Sequence, residues 1–181
     1  MKINSAILQG AEFLKTRYIS SANLDSEILM AKVINKDRKF ILLNPNQKLT
    51  SLDFINFKKL IKKRSLREPV AYLINKKFFW NSEFFVTKNT LIPRPDTETL
   101  IDCILNYCDN KNKLSILDIG IGSGCILLSI LKEKKNFLGS GIDISKEALN
   151  TCKINAINLG LINRLKLFKT DVDKFTIGKY D

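Results

Sequence analysis

Apolar residues recur along this chain with two different periods. Over residues 1 to about 75 the spacing is helical. Ile7, Leu8, Ala11, Phe13, Leu14 and Tyr18 form one such set, with Ser5 placed to cap it, and Leu24, Ile28, Leu29, Ala31, Val33 and Ile34 follow Asn23 as a second. Phe40-Ile41-Leu42-Leu43 is a short apolar piece stopped by Asn44-Pro45-Asn46. Thr50 or Ser51 then opens a longer helix, with Leu52, Ile55, Leu60 and Ile61 expected inward. The helical pattern ends near Glu68-Pro69, and two aromatic runs, Lys77–Trp80 and Glu83–Val86, flank Asn81-Ser82. That arrangement predicts a β-hairpin bridging the helical part to the glycine-rich C-terminal part, its aromatics buried between the two. Leu91-Ile92-Pro93-Arg94-Pro95-Asp96-Thr97-Glu98 comes next, where two prolines hold the backbone around Arg94 extended. Asp96 or Thr97 is expected to cap a helix from Glu98 through Tyr107.

Beyond residue 110 the pattern changes to short apolar runs separated by helix-length segments. Strands are expected near 114–118, 138–143 and 164–169. Strand, helix and strand in this order make right-handed βαβ units and hence a parallel sheet. The fold class predicted is α/β: an N-terminal helical bundle, a β-hairpin linker and the first half of a Rossmann-like sheet. The domains expected are 1–75, 76–96 and 97–181. With three strands the first would be an open edge.

Composition narrows the chemistry. Of 181 residues, 45% are apolar, enough for one good core or two small ones, and no run of about 18 apolar residues exists to span a membrane. The start of the chain lacks the apolar block of a signal peptide, so a cytoplasmic protein is expected. Histidine is absent, which excludes Ser-His-Asp and Cys-His schemes. Cys103, Cys108, Cys125 and Cys152 form no C-x-x-C pair, so neither a zinc site nor a disulfide framework is expected, and no metal is assigned. Cys125 stands where a helix N-terminus could lower its pKa, but small buried filler is the preferred reading. The net charge of +12 comes from 24 Lys and only 6 Arg, whereas dedicated nucleic-acid readers lean on arginine. Lys58, Lys59, Lys62, Lys63, Arg64 and Arg67 make a basic stripe on one helix, read either as a solvated face or as a docking surface.

The candidate chemistry lies in Leu114-Ser115-Ile116-Leu117-Asp118-Ile119-Gly120-Ile121-Gly122-Ser123-Gly124. An apolar strand turns through alternate glycines into a helix, where bare backbone and free helix-start N–H groups can meet a ligand. A tight turn that binds nothing would look similar. The next strand, Leu138–Asp143, ends on a carboxylate placed either to accept both hydroxyls of a ribose, the reading preferred, or to cap the following helix near Ser145 and Glu147. A dinucleotide site would want a third glycine at position 125, which is Cys125, so an NAD-type oxidoreductase is disfavoured.

The D-x-G-x-G-x-G pattern resembles the first motif of class I S-adenosylmethionine-dependent methyltransferases. Glu68-Pro69-Val70-Ala71-Tyr72, the Phe-Trp hairpin, Leu91-Ile92-Pro93-Arg94-Pro95-Asp96-Thr97-Glu98 and the glycine turn together resemble the HemK/PrmC family, from about residue 5 to the last. These are glutamine methyltransferases acting on peptide chain release factors. The resemblance implies that residues 1–75 bind the release factor and that S-adenosylmethionine is the cofactor. Its implied contacts are Asp118, Gly120, Ile121, Gly122, Ser123, Gly124, Asp143, Asp171 and Val172, with Asp171 near the adenine amine and Val172 packing on the ring. The implied partners are class-1 release factors, with no membrane and no direct nucleic acid.

One departure is large. The family's catalytic Asn-Pro-Pro-Tyr occurs nowhere in the 181 residues and is expected after Asp181, so no catalytic residue is assigned within the chain. An amide nitrogen is a weak nucleophile because its lone pair is delocalised, and that motif supplies the acceptors that position it. The chain alone is therefore expected not to turn over. A nucleic-acid amino-group methyltransferase and a shortened, non-catalytic binder of cofactor or release factor are the alternatives.

Overall fold

A computed structural model describes residues 1–181. The chain divides into two compact units, Met1–Ile74 and Asn75–Asp181. No helix is long and apolar enough to cross a membrane.

The first unit holds α1 (Ile3–Lys15), α2 (Ala22–Val33), α3 (Arg38–Leu43), α4 (Ser51–Ser65) and α5 (Val70–Ile74). In α1 the buried positions are Ile3, Ala6, Ile7, Gly10, Ala11 and Leu14, a single stripe at helical spacing. Leu8, Phe13 and Tyr18, expected to share it, are exposed. Ser5 is no cap, because the helix begins earlier; the Ile3 and Asn4 amides donate instead to the carbonyls of Gln47 and Pro45, so tertiary backbone contacts satisfy the helix start. Thr50 caps α4 in a capping box with Asp53. That helix packs Phe57 and Ile61 inward, whereas Leu52 and Ile55 point out, the reverse of the expectation for those two. Arg64 also leaves the anticipated basic stripe: its Nε donates to Asp25 Oδ2 at 2.7 Å in a largely buried pair that ties α4 to α2, with Ser21 Oγ donating to the same oxygen. Removing one partner of such a pair costs far more than the pair itself contributes.

The second unit begins with β1 (Lys76–Phe79) and β2 (Ser82–Phe85), paired antiparallel with Phe79 opposite Ser82. The turn is therefore Trp80-Asn81, one residue earlier than the aromatic pattern predicts, with Trp80 at φ 51°. A one-residue shift exchanges the two faces of a strand. Here it puts Phe79 and Phe84 inward, edge to face at 6.2 Å, and leaves Phe78 in solvent. Three side chains secure the shifted turn. Glu98 Oε1 accepts from the Trp80 amide, Glu133 Oε1 from the indole Nε1, and Lys132 Nζ donates to the Asn81 carbonyl and Ser82 Oγ. Phe79 and Phe84 belong to the core of this unit, in one cluster with Ile101, Leu127, Leu131 and Phe137. Pro95–Thr97 form a 3-10 turn that runs into α6 (Glu98–Tyr107) with no side-chain cap, because the turn itself satisfies the first amides.

The remaining elements alternate: β3 (Ser115–Ile119), α7 (Cys125–Glu133), β4 (Leu138–Asp143), α8 (Lys146–Asn158) and β5 (Leu165–Lys169). The sheet is parallel in the order β3-β4-β5, so β4 is central and β3 is an edge. On that edge Asp181 bonds Ser115 through both its amide and its carboxylate. The Arg164 guanidinium closes the end of α7, donating to the carbonyls of Leu131, Lys134, Lys135 and Phe137.

The strand β4 has glycines where α7 and the turn after β3 press closest. A Cβ on Gly141 would stand 2.1 Å from Ile121 Cδ1. Gly141→Ala is therefore expected to destabilise the fold by about 2 kcal/mol through overpacking. Ile121→Val alone should cost about 1 kcal/mol, and the double variant roughly 1 kcal/mol less than the sum of the two. Urea denaturation of the four proteins reads this coupling; strictly additive costs would show that the contact is not the constraint.

Candidate functional site

Parallel strands of one sheet finish on the same side, and here the C-terminal ends of β3, β4 and β5 bring Asp118, Asp143 and Asp171 to one edge. The turn after β3 passes over that edge. Gly120, Gly122 and Gly124 have φ of 73°, 55° and 78°, a region that residues with a Cβ rarely enter. The three are not equivalent. A Cβ on Gly120 would meet nothing within 4 Å, whereas one on Gly124 would stand 2.6 Å from Cys152 Sγ. Gly124 thus provides the close helix packing that a dinucleotide fingerprint assigns to its third glycine, and Cys125 does not prevent it.

The turn uses most of its own amides. Those of Gly120 and Ile121 both donate to the Ile142 carbonyl, and that of Gly124 to the Ile121 carbonyl. The Gly122 amide donates to Asp143 Oδ2 at 3.0 Å. Asp143 Oδ1 accepts from the Ser145 amide at 2.9 Å, and Ser145 Oγ in turn accepts from the Ala148 amide. Ser145 is therefore the cap of α8, and Asp143 is not. Its carboxylate is held in place by two amides and retains lone pairs for further donors.

A cleft of about 220 Å³ opens over these strand ends, lined by Ile119, Gly120, Asp143, Ile144, Asp171 and Val172 among others. Of the residues expected to contact a cofactor, Gly120, Asp143, Asp171 and Val172 meet there. Asp171 also accepts from the Asp173 amide and so caps the short turn carrying Val172. The others sit elsewhere. Ile121 is 5% exposed, its side chain buried over Gly141. Ser123 is buried too, and Gly122, Gly124 and Asp118 do not line the cleft. A larger hollow of about 370 Å³ near Ser115 and Tyr180 is lined by no carboxylate.

Burial and the nearby Asp143 charge push the Asp118 carboxyl up to about 6, with the Leu127 amide at the start of α7 pulling it back. Two carboxylates so close would be relieved by a positive charge. Burial raises the Cys125 thiol and pushes that of Cys152 up to about 12, so neither is an activated nucleophile.

Three residues escaped the sequence reading of this site. Ile144 is 71% exposed directly after the strand-end carboxylate, and Ile119 is exposed at the end of β3. Large apolar residues left in solvent beside a carboxylate are a usable signal, visible once the strand ends are known. Asn155 had no signal beyond its place in α8. It is buried, its Oδ1 accepts from the Phe85 amide at 2.7 Å, and its Nδ2 donates to the carbonyls of Phe85 and Ser123. One side chain thus pairs with β2 as a strand would and also anchors the glycine turn.

Two outcomes are expected from this geometry. A carboxyl raised above its ordinary 3.8 favours the protonated folded state, so its contribution is full below that value and lost as pH rises through about 6. The loss is about 3 kcal/mol between pH 3.8 and 7, and Asp118→Asn should remove it; urea midpoints against pH for both proteins test the assignment. Asn155→Ala leaves three backbone groups without their partners and is expected to cost about 3 kcal/mol. Hydrogen exchange at the Phe85 amide should then speed up, and unchanged exchange would deny Asn155 this role.

Comparison with known proteins gives these features a context. The PrmC N-terminal domain matches residues 5–74. A release factor glutamine methyltransferase of Buchnera aphidicola subsp. Baizongia pistaciae is 40% identical over 163 residues, covering 90% of this chain and 58% of that protein. One from Leptospira interrogans is 37% identical over 172 residues, covering 94% and 60%. A bifunctional methyltransferase of Rickettsia bellii is 33% identical, covering 93% of this chain and 35% of its own length. The chain thus spans about 60% of the length of the first two relatives. Among solved structures, an RNA methyltransferase from Salinibacter ruber with S-adenosyl-L-homocysteine is 21% identical at a TM-score of 0.41, covering 46% of this chain and 53% of that one, too partial a likeness to build on. With a PrmC N-terminal domain in its first unit and 37–40% identity continuing across nine-tenths of its length, the chain belongs to the HemK/PrmC family.

Proposed function

We propose that this chain carries the cofactor site of an enzyme that transfers a methyl group from S-adenosylmethionine to the side-chain amide nitrogen of a glutamine in class-1 peptide chain release factors, in the cytoplasm. The observation that carries this reading is the Asp143 carboxylate, fixed by the Gly122 and Ser145 amides at the mouth of a cleft with apolar walls.

The residues present fit such a nucleoside. Asp143 has acceptor capacity left for a vicinal diol, the Gly120 position leaves the backbone bare, and Ile144 and Val172 offer apolar contact for a flat base. Asp171, at the same cleft, is an acceptor for an exocyclic amine. The Asp118 carboxylate interacts with that of Asp143, and together they make the region attractive to a cation. The cofactor, when bound, supplies an activated methyl group on a positively charged sulfur. The chain's own residues bind and orient it and keep its charge facing carboxylates.

Calorimetry with S-adenosyl-L-homocysteine tests the site directly. Wild-type protein should bind it and ignore NAD. Asp143→Ala should weaken binding roughly 10- to 100-fold, the equivalent of about 1.5–3 kcal/mol for hydrogen bonds to a charged group. No binding by the folded wild-type protein, or equal affinity after Asp143→Ala, would overturn the assignment.

A further inference from the structure

Asn155 spends its whole side chain on the backbone of two segments far from it in sequence. Its Oδ1 accepts from the Phe85 amide at 2.7 Å, and its Nδ2 donates to the Phe85 carbonyl at 2.9 Å and the Ser123 carbonyl at 2.8 Å. An asparagine has two such hydrogens to give, and here main chain takes both. The residue is 1% exposed. Its neighbours on α8, Cys152 and Ala156, are fully buried and apolar. Packing alone would be served by another residue of that kind.

The Ser123 carbonyl is one end of a peptide group whose other end is the Gly124 amide, and that amide donates to the Ile121 carbonyl. The group is therefore held at both ends. It needs to be, because Gly124 has φ 78° and a glycine lets the adjoining peptide plane turn over at little steric cost. One residue earlier, the Gly122 amide donates to Asp143 Oδ2 at 3.0 Å, and it is one of the two amides that fix this carboxylate. A line of hydrogen bonds thus runs from Phe85 in β2 through Asn155 to the glycine turn, and from the turn to the carboxylate in the cleft. Phe85, Ser123 and Asn155 do not themselves line that cleft.

We propose that Asn155 is a positioning residue for the bound nucleoside: it locks the Ser123–Gly124 peptide, keeps the Gly122 amide on Asp143, and makes cofactor affinity depend on the β1–β2 hairpin. The cleft is the cofactor site of the proposed function, on which this role rests. With Asn155 shortened, the Ser123 carbonyl loses its side-chain donor and the turn is free to relax. Asp143 then loses part of its hold and meets the ligand less well oriented. Coupling of this kind is reciprocal, so what the hairpin does for the ligand the ligand also does for the hairpin. Binding at the strand ends is therefore felt at the Phe85 amide, which the ligand does not touch.

Calorimetric titration with S-adenosyl-L-homocysteine, well below the melting temperatures, separates positioning from general stability. Asn155→Ala should weaken binding at least tenfold. Ile101→Ala opens a cavity in the same core without lining the cleft; it is the control for lost stability and should bind within twofold of wild type. In the NMR spectrum of wild-type protein the ligand should also shift the Phe85 backbone amide and the Asn155 side-chain amide. In Asn155→Ala at saturating ligand the Phe85 amide should stay in place. The wild-type spectrum decides the matter even where Asn155→Ala does not fold. Near-wild-type affinity in Asn155→Ala, equal weakening in Ile101→Ala, or a Phe85 amide that is unmoved in wild type or moves as far without Asn155 would each overturn this role and leave the cofactor site standing. Absence of binding by wild type would overturn both.

Discussion

Parallel strands deliver their C-terminal ends to a common edge, and whatever stands there must find donors or be exposed to water. In this chain the strand-end carboxylate of Asp143 takes the Gly122 amide from the turn of the neighbouring strand and the Ser145 amide from the start of α8. Those two bonds connect β3, β4 and α8 at one point. They also orient the carboxylate, because an acceptor held by two backbone donors has little freedom to rotate. The cleft beside it inherits its shape from this arrangement: the turn must pass close, so its backbone must be bare.

The same economy explains why the glycines are not interchangeable. Gly120 faces open space and is required for its φ alone, while Gly124 is required both for φ and for the approach of Cys152. Asn155 completes the structure from behind. By pairing with both backbone groups of Phe85 and holding the Ser123 carbonyl, it makes the hairpin and the glycine turn parts of one body. A polar side chain buried among apolar neighbours is tolerated because all of these hydrogen bonds are made.

In the helical unit the organising contact is different. Asp25 and Arg64 are largely removed from water and answer each other across α2 and α4, which sets the rotation of α4 about its axis. With Arg64, Phe57 and Ile61 directed inward, helical geometry sends Leu52, Ile55, Lys59 and Lys62 outward.

Much of this was legible in the residues themselves. The switch from helical to strand periodicity, the three parallel strands within a residue or so of their observed limits, and the glycine turn came from local pattern, because buried strands are apolar throughout and only glycine suits such turns. That Asp143 and Gly120 meet at one cleft also comes from the βαβ order, since the chain direction alone puts strand ends together, whereas Asp171 and Val172 in the same cleft were implied by the family resemblance alone. What the pattern could not supply was every choice made between elements. Leu52 and Ile55 have helical spacing on either face, and the packing of α4 against the rest of the unit decided it, with Phe57 and Ile61 inside and Arg64 paired to Asp25. The hairpin turn fell on Trp80-Asn81 because Glu98, Glu133 and Lys132, distant in sequence, hold it there. The amides of the glycine turn were committed to Ile142 and Asp143 on the next strand, and Asn155 acquired its partners 32 and 70 residues away. Periodicity reports how a residue stands to its neighbours along the chain, and which distant group satisfies a buried donor or charge is settled only when the elements pack.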